Sequence, residues 1–265
     1  MAEKAIFITG GASGIGLAVA KLFASKGWRV GLADVNAAGL EAARAGFAPD
    51  RISTHVMDVR DRHQWQESLG AFTALSGGRL DVLFNNAGIA VGGEFATTSF
   101  EDIDRIVGIN LTGVINGARI GYPFLKATPG GAALVNTASA AAIYGSAGLA
   151  LYAATKFAVR GLTEALDGEW AAEGIKAHVL MPSFIDTPLL DTLSHGSNRT
   201  ARESVKAAGL EFTPLDTVAQ AVWDSVHNDK VHALVGKTAR RLAFAARWMP
   251  GAIRKQTRRR MGMDI

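Results

Sequence analysis

Two tyrosines in this chain are each followed, four residues later, by a lysine. The pairs are Tyr122 with Lys126 and Tyr152 with Lys156. On a helix, residues i and i+4 lie on one face, so the ammonium group can stand beside the phenol. A phenol ordinarily has a pKa of about 10, and a nearby positive charge stabilises its phenolate. Such a pair could therefore exchange a proton with a substrate oxygen near neutral pH.

Position along the predicted helices separates the two pairs. Tyr152 and Lys156 open a helix that follows a predicted strand and its loop, whereas Tyr122 and Lys126 close a long helical segment that contains Pro123. In a parallel α/β sheet, helix N-termini lie at the edge where ligands bind and helix C-termini lie at the far edge. We therefore expect the Tyr152 pair to carry the chemistry, and the Tyr122 pair to form a helix end with an exposed lysine.

Short β-branched runs alternate with helix-length amphipathic segments, which is the pattern of repeated βαβ units. The predicted strands are Ala5–Thr9, Arg29–Ala33, Ile52–Val56, Val82–Asn85, Ala132–Asn136, Lys176–Leu180 and His232–Val235. The predicted helices open near Gly14, Asn36, Arg62, Phe100, Tyr152 and Thr217. With right-handed crossovers, this pattern predicts an α/β protein with a single Rossmann-like, doubly wound parallel sheet of about seven strands and helices on both faces.

A glycine-rich segment joins the first predicted strand to the first helix. It reads Thr9-Gly10-Gly11-Ala12-Ser13-Gly14-Ile15-Gly16. Glycines allow a tight turn and the close approach of a pyrophosphate, and free N–H groups at the helix start face the anion. A flexible turn is the alternative, but an acidic residue, Asp34, ends the second strand at the spacing expected of a dinucleotide site.

The residue Asp34 indicates which dinucleotide binds. A carboxylate there can accept hydrogen bonds from both ribose hydroxyls of adenosine and would repel a 2′-phosphate. No lysine or arginine occupies positions 9–16 or 34–38, where it could pair with that phosphate. The sequence therefore favours NAD over NADP. The alternative is that Asp34 caps the helix that follows it.

Taken together, these motifs resemble the short-chain dehydrogenase/reductase family. The motifs are Thr9-Gly10-xxx-Gly14-x-Gly16, Asn85-Asn86-Ala87-Gly88 after the fourth strand, and Ser139 followed by Tyr152-x-x-x-Lys156. The resemblance covers residues 4–236. It implies an enzyme that transfers a hydride between NAD(H) and a secondary alcohol or ketone. It also implies a homotetramer or dimer built on the helices around Asn110–Lys126 and Tyr152–Glu173.

The resemblance further implies the roles of the site residues. Tyr152 is expected to be the general acid/base, and Lys156 to lower its pKa and bind the nicotinamide ribose. Ser139 is expected to polarise the substrate oxygen, and Asn110 to sustain a proton relay through water. The expected cofactor contacts are Gly10, Ser13, Gly14, Ile15, Gly16, Asp34, Asp58, Val59, Asn86, Ala87, Gly88, Tyr152, Lys156, Pro182, Ile185 and Thr187.

Two of these contact regions come from the resemblance alone. Asp58 and Val59 follow the third strand, where the family contacts adenine. Pro182 to Thr187 resemble the family's Pro-Gly-x-x-x-Thr segment near the nicotinamide amide, with Ser183 in place of the glycine.

Substrate identity is expected to depend on three loops, Ile89–Ala96, Ala140–Leu151 and Leu189–Phe212. The first two are apolar, which favours a moderately hydrophobic secondary alcohol or ketone; a polar or sugar substrate is the alternative. Residues 193–199 predict either a mobile lid or a surface loop, with His195 as a candidate functional residue. The alternative from a different class of function is a protein of this fold that binds NAD as a sensor or structural partner without turnover.

Composition excludes several other classes. The chain has 265 residues, 48% of them hydrophobic, which fits one globular unit. It has no cysteine, and its six histidines lack metal-ligand spacing, so disulfides, thiol nucleophiles and a metal site are not expected. No Gly-x-Ser-x-Gly elbow of a serine hydrolase occurs. The first ten residues lack the apolar region of a secretory signal, so we expect a cytoplasmic protein without membrane spans.

Positive charge is concentrated after residue 236. From Lys237 onward nine basic residues stand against Asp264 alone, a net charge of +8. The remaining 19 basic and 23 acidic residues give residues 1–236 a net charge of −4. We therefore divide the chain into a dinucleotide-binding and catalytic domain at 1–236 and a basic amphipathic tail at 237–265, and we expect no nucleic-acid partner. Packing or fraying of the tail helix is favoured over contact with an anionic membrane or with another subunit, because Pro250-Gly251 interrupts its pattern.

Overall fold

Seven strands and ten α-helices form the part of the chain that the computed structural model describes, residues 3–191, 200–207 and 209–260. The strands are β1 Ala5–Thr9, β2 Arg29–Asp34, β3 Ile52–Val56, β4 Val82–Asn85, β5 Ala132–Thr137, β6 Ile175–Pro182 and β7 His232–Val235. The helices are α1 Gly14–Ser25, α2 Ala37–Arg44, α3 Arg62–Leu75, α4 Phe100–Val107, α5 Gly113–Ala127, α6 Ala150–Trp170, α7 Ala201–Ala207, α8 Leu215–Val226, α9 Lys237–Trp248 and α10 Pro250–Arg260.

All seven strands pair in parallel in one sheet, in the order β3-β2-β1-β4-β5-β6-β7. The predicted doubly wound sheet is therefore confirmed. The chain crosses from β3 to β4 on the other side of β1, so the winding direction reverses between β1 and β4. In such sheets ligands bind beyond the carboxyl ends of the strands at this reversal.

Alternating strand residues bury the sheet on both faces. On one face, Ile6 and Ile8 pack with residues of α1, α2 and α8; on the other, Ala5 and Phe7 pack with residues of α3, α5 and α6. Successive side chains of a strand point to opposite faces, and both faces of this sheet are covered by helices. Side chains on either face of β1 must therefore be suited to burial, and all five of its residues are buried.

Most predicted element bounds lie within two residues of the observed ones, with the largest difference in the tail. The predicted amphipathic segment after residue 238 forms two helices, α9 and α10, instead of one. Proline lacks an N–H group and excludes helical conformation from the preceding residue, and Met249 accordingly has φ −138° and ψ 48°. The predicted loop at 193–199, with His195, lies outside the described residues.

Candidate active site

The turn between β1 and α1 depends on glycine at three positions. Gly10 and Gly14 have φ of +65° and +52°, the left-handed region that favours glycine. A Cβ on Gly16 would lie 2.2 Å from the carbonyl oxygen of Gly10. Ser13 caps α1 and is exposed, and its side chain makes no capping hydrogen bond. The backbone of this turn therefore stays open, as close contact with a pyrophosphate requires.

The turn after β4 is tied directly to the glycine-rich turn. The hydroxyl oxygen of Thr9 accepts hydrogen bonds from the backbone N–H groups of Asn86 and Ala87, at 3.0 and 3.1 Å. The side-chain amide of Asn86 donates to the carbonyl oxygens of Thr9 and Gly10, at 3.0 and 3.3 Å. Asn86 thus braces the turn through its side chain. Thr9, the first residue of the glycine-rich motif, braces it through its hydroxyl group, a role that the sequence did not predict.

Asp34 ends β2 beside the same turn. Its carboxylate accepts from the backbone N–H of Ala12 at 3.2 Å and from that of Asn36 at 3.0 Å. The helix cap of α2 is instead Asn36, whose side-chain oxygen accepts from the N–H of Gly39 at 2.9 Å. Asn36, and not Asp34, therefore caps α2. The Asp34 carboxylate lies instead at the rim of the glycine-rich turn.

The two residues that follow β3 have different environments. The carboxylate of Asp58 binds the guanidinium of Arg60, with a shortest distance of 2.6 Å, and this hydrogen bond holds the pKa of Asp58 below its ordinary value. Val59 is buried, and a Cβ on Gly113 would lie 2.6 Å from its side chain. Val59 therefore fixes α5 against this edge of the sheet.

Ser139, Tyr152 and Lys156 come together where β5 ends and α6 begins. Ser139 starts a short turn over Ala140–Ala142. Tyr152 and Lys156 lie in the first two turns of α6, and the ammonium nitrogen of Lys156 is 5.6 Å from the centre of the Tyr152 ring. The same ammonium group donates to the carbonyl oxygen of Thr137 at 2.8 Å. The expected i, i+4 arrangement is therefore present at the carboxyl edge of the sheet.

Burial dominates the titration of this pair. Lys156 is 3% exposed, and burial lowers its pKa from 10.5 to about 8. Burial raises the pKa of the Tyr152 phenol, and a hydrogen bond with Ser139 acts in the opposite direction. The contacts of Lys156 do not contribute to this shift. The expected lowering of the Tyr152 pKa by the lysine stays a prediction.

Asn110 lies fully buried next to this group. It occupies a π-helical turn, residues 108–112, between α4 and α5. Its amide accepts from the backbone N–H of Ile89 at 2.8 Å and donates to the Ile89 carbonyl at 2.9 Å. A Cβ on Gly88 would lie 3.3 Å from the Asn110 side-chain oxygen and 3.5 Å from the Lys156 nitrogen. Asn110 therefore holds the loop after Gly88 close to the lysine.

The segment after β6 covers the glycine-rich turn from the other side. Ile185 is buried and forms an isolated parallel bridge with Thr213. The methyl group of Thr187 lies 3.2 Å from the position of a Cβ on Gly14. Pro182, the last residue of β6, is also buried. The structure thus brings these expected contacts to the same cleft as the catalytic candidates.

One arginine that the sequence motifs did not indicate fastens this segment. Arg202, on α7, donates to the Thr187 carbonyl oxygen at 3.1 Å and pairs with Asp191 at 2.8 Å and with Asp186. Its contacts span 11 to 16 residues, which no local pattern would reveal. Arg202 therefore joins α7 to the wall of the cleft.

The second tyrosine and lysine pair has a different environment. Tyr122 donates to the carboxylate of Glu173 at 2.6 Å, and exposed Lys126 contacts the same carboxylate at 3.2 Å. These residues lie near the C-terminus of α5. Glu173 follows α6, so the group joins two helix ends at the edge opposite to Tyr152.

Family membership follows from comparison with known proteins. The model of the short chain dehydrogenase family matches residues 4–198. This chain belongs to that family, a class of oxidoreductases.

Three similar proteins illustrate the class. The chain is 34% identical to the 3-oxoacyl-[acyl-carrier-protein] reductase FabG of Thermotoga maritima over 83% of this chain and 88% of that protein. It is also 34% identical to a D-threitol dehydrogenase of Mycolicibacterium smegmatis, over 83% and 85% of the two chains. A crystal structure of a short chain dehydrogenase/reductase from Burkholderia phymatum in complex with NAD superposes with a TM-score of 0.83, at 27% identity, over 96% of this chain and 95% of that one.

Across the described part of the chain, no three histidine, aspartate or glutamate side chains converge in the manner of a metal site. Among the same residues, no helix combines the length and the apolar character needed to cross a bilayer.

Proposed function

We propose that this protein is an NAD(H)-dependent oxidoreductase that interconverts a secondary alcohol and a ketone. The observation that carries the proposal is the meeting of Ser139, Tyr152 and Lys156 beside the open glycine-rich turn. The glycine-rich turn, with Gly10 and Gly14 at positive φ and an exposed Ser13 at the start of α1, fits a dinucleotide. Two similar proteins are named as a reductase of a 3-oxoacyl group and a dehydrogenase of an alcohol, which supports this reaction class.

Each catalytic candidate then has a distinct task. The cofactor, when bound, supplies or accepts the hydride. Tyr152 gives its phenolic proton to the forming alkoxide during ketone reduction and removes the hydroxyl proton during alcohol oxidation. Ser139 donates a hydrogen bond to the same substrate oxygen, which stabilises the charge that develops on it. Lys156 would bind the nicotinamide ribose, and its positive charge would favour the Tyr152 phenolate.

Asn110 supports the site without contact to the reacting atoms. Its two hydrogen bonds to Ile89 keep the chain after Gly88 in place beside the lysine. We propose that its amide also helps to hold a water molecule through which Lys156 exchanges protons with solvent.

The substitution Tyr152→Phe tests the assignment. It removes the proton donor while the ring is kept, so we expect turnover to fall at least about 1,000-fold, within the range of general acid–base catalysis. Binding of NADH, followed by its fluorescence, should change less than about threefold. The matched control is Tyr122→Phe, which alters the other Tyr-x-x-x-Lys motif and should keep full activity.

Substantial activity of Tyr152→Phe would exclude Tyr152 as the acid/base. If the wild-type protein binds NADH with a fluorescence change but oxidises no member of a panel of secondary alcohols, the alternative function of a non-catalytic NAD sensor or structural partner would hold instead.

NAD, as opposed to NADP, is proposed from Asp34. Its carboxylate stands at the rim of the glycine-rich turn, and the nearby positions 9–16 and 34–38 carry no basic residue. We expect Asp34→Ser to lower the ratio of kcat/KM for NAD to that for NADP by about 10- to 100-fold, the value of one or two hydrogen bonds to a charged group. The exposed Asp50→Ser is the control. A wild-type preference for NADP, or an unchanged ratio in Asp34→Ser, would contradict the proposal.

The proposed substrate is a moderately hydrophobic alcohol or ketone. The turn after Ser139 consists of Ala140, Ala141 and Ala142, followed by Ile143 and Tyr144, so the wall beside the catalytic group is largely apolar. A polar substrate is the second candidate, because one similar protein is a D-threitol dehydrogenase. Relative kcat/KM values for an alkyl alcohol series and a polyol series separate the two.

The proposed setting is the cytoplasm, with residues 1–236 as the catalytic unit and the tail as an appendage. We also propose a homo-oligomer, a tetramer or dimer, assembled through α5 and α6. Apolar side chains on these helices support this proposal, since Ile115 and Phe157 are 43% and 41% exposed.

A further inference from the structure

Helix α9 carries an exposed face of unusual composition. Ala239 is buried and four other apolar residues of the helix are partly covered, so this side packs on the body. The exposed residues recur at spacings of three and four along the opposite side, as on one face of a helix. They are Lys237, Arg240, Arg241, Phe244, Arg247 and Trp248.

Aromatic side chains at the centre of this face contact little protein. Phe244 is 62% exposed, Trp248 is 65% exposed, and the adjacent Met249 is 50% exposed. The guanidinium of Arg247 stands 5.3 Å from the centre of the Trp248 ring. Three neighbouring large apolar side chains in water indicate a surface that is covered by a ligand or partner.

The charge around these side chains has one sign. No acidic residue occurs from position 237 to 260, whereas residues 1–236 are net negative. Lys237 pairs with Glu211 at 3.2 Å. Within the described ranges, Arg240, Arg241 and Arg247 form no ion pair, and neither do Arg254 and Lys255 of α10. These five side chains have no ionic partner in the part of the chain that the structure describes, so they can bind an external anion.

We propose that this surface, defined as the exposed face of α9 with Met249 and the exposed cations of α10, docks on an anionic lipid membrane. Aromatic and methionine side chains can enter the boundary between headgroups and acyl chains, while arginines on either side bind lipid phosphates. Isologous pairing with a second copy would place cations against cations. Nucleic acid would satisfy the charges but would leave the Met249 and Phe244 side chains without an apolar environment.

The position of α9 relates the membrane surface to the cleft. The helix starts at Lys237, one residue after β7 ends. A Cβ on Gly236, the residue between them, would lie 2.2 Å from the hydroxyl oxygen of Ser183, which follows β6. Helix α9 also packs near the Ala140–Ala142 turn that follows Ser139. Docking would therefore hold the apolar side of the cleft near the lipid. This last consequence rests on the proposed function, whereas docking itself does not.

Co-sedimentation of the full chain with lipid vesicles tests the proposal. We expect binding to vesicles of phosphatidylcholine mixed with phosphatidylglycerol, and at least about tenfold weaker binding to phosphatidylcholine alone. Salt near 1 M, where the Debye length is about 3 Å, should release the protein. Tryptophan emission should shift to shorter wavelength on binding and should not shift in Trp248→Phe. Of the other four tryptophans, Trp28, Trp65 and Trp170 are buried, and Trp223 on α8 packs against Phe23 and Trp28.

Surface variants locate the contact. A triple variant, Arg240→Gln with Arg241→Gln and Arg247→Gln, removes three cations of the face and should weaken vesicle binding about 100-fold. Phe244→Ser with Trp248→Ser should weaken it at least about tenfold. The charge-matched control replaces Lys21, Lys26 and Arg44 with glutamine, and Leu75→Ser controls for loss of an exposed apolar side chain. Unchanged circular dichroism and NADH binding show that each variant is folded.

Three results would overturn the proposal. One is the absence of sedimentation with phosphatidylglycerol vesicles at low salt. A second is equal binding by the face variants and their controls. The third is that the face variants bind vesicles normally but sediment as smaller species or lose affinity for duplex DNA, which would assign the face to a second copy of the chain or to nucleic acid.

Discussion

Lys156 is a buried cation, and its charge lowers the stability of the folded state. It is almost completely buried, its ammonium group donates to the Thr137 carbonyl, and its pKa falls to about 8 because burial disfavours the charged form. Such a group titrates close to working pH and remains available for a negative or polar ligand. Below about pH 8, however, the lysine is mostly protonated, so the folded state then contains a buried charge.

A pH-dependent stability follows for this residue. Because the pKa is about 8 in the folded protein and 10.5 ordinarily, the unfolded chain binds more protons between these values, and stability rises with pH across that interval. The free energy of unfolding of wild type relative to Lys156→Met should increase by about 3 kcal/mol from pH 7.5 to 10.5. Urea titrations at each pH measure it. A difference that stays constant with pH would show that folding does not lower the pKa of this lysine.

At the level of single residues, types and spacing located Tyr152, Lys156 and Ser139, because helix periodicity and the strand-to-helix order determine which side chains meet. The bracing role of Thr9 was not predictable, since its hydroxyl contacts residues 77 and 78 positions away. The burial that raises the pKa of the Tyr152 phenol was also not predictable. Spacing does not record how deeply a side chain is buried.

At the level of elements, the helical segment from Phe100 to Ala127 is the least regular part of the site. The sequence predicts one helix there, and the structure has α4, a π-helical turn and α5 in succession. A π turn accommodates one additional residue within a helix and often occurs at functional sites. No residue in Gly108–Thr112 marks it, since the turn is maintained by the contacts of Asn110 with Ile89 and of Gly113 with Val59.

Helix α7 supports a second prediction at this scale. Arg202 joins it to Asp186, Asp191 and the Thr187 carbonyl, and Thr187 lies against Gly14. Replacing Arg202 with alanine should release this wall, and we expect the KM for NAD to rise about tenfold, as for one lost charged hydrogen bond, with a smaller change in kcat. Arg202→Lys should restore part of the affinity.

The exposed Arg44→Ala, which breaks an i, i+3 pair with Glu41, is the control for the loss of a surface ion pair. Equal KM values for wild type and Arg202→Ala would show that the segment keeps its position without the arginine.

At the scale of the whole molecule, the sheet order follows from the alternation of strands and helices. Parallel strands need crossovers, the crossovers are right-handed, and one reversal of winding then places the cleft between β1 and β4. The βαβ pattern in the sequence was therefore sufficient to predict the architecture. It was insufficient for the tail, where the amphipathic pattern did not reveal that the aromatic residues lie on the outer face of α9.

Assembly is the prediction that belongs to this scale. If α5 and α6 form the contact between subunits, Ile115→Glu with Phe157→Glu should convert the oligomer into smaller species, because buried unpaired carboxylates strongly oppose association. Sedimentation velocity measures the change. Leu75→Glu, at an apolar position that is 56% exposed elsewhere, should leave the assembly intact. A wild-type protein that sediments as a monomer would contradict the oligomer proposal.

The helices α9 and α10 also give the molecule a permanent separation of charge. Arginine side chains keep their charge at any pH that the fold tolerates. At its isoelectric pH, therefore, the protein would have zero net charge and yet present a cationic pole opposed by an anionic body. It should still be retained by a cation-exchange column under those conditions, oriented with this pole toward the resin, and be eluted by salt instead of by a change of pH.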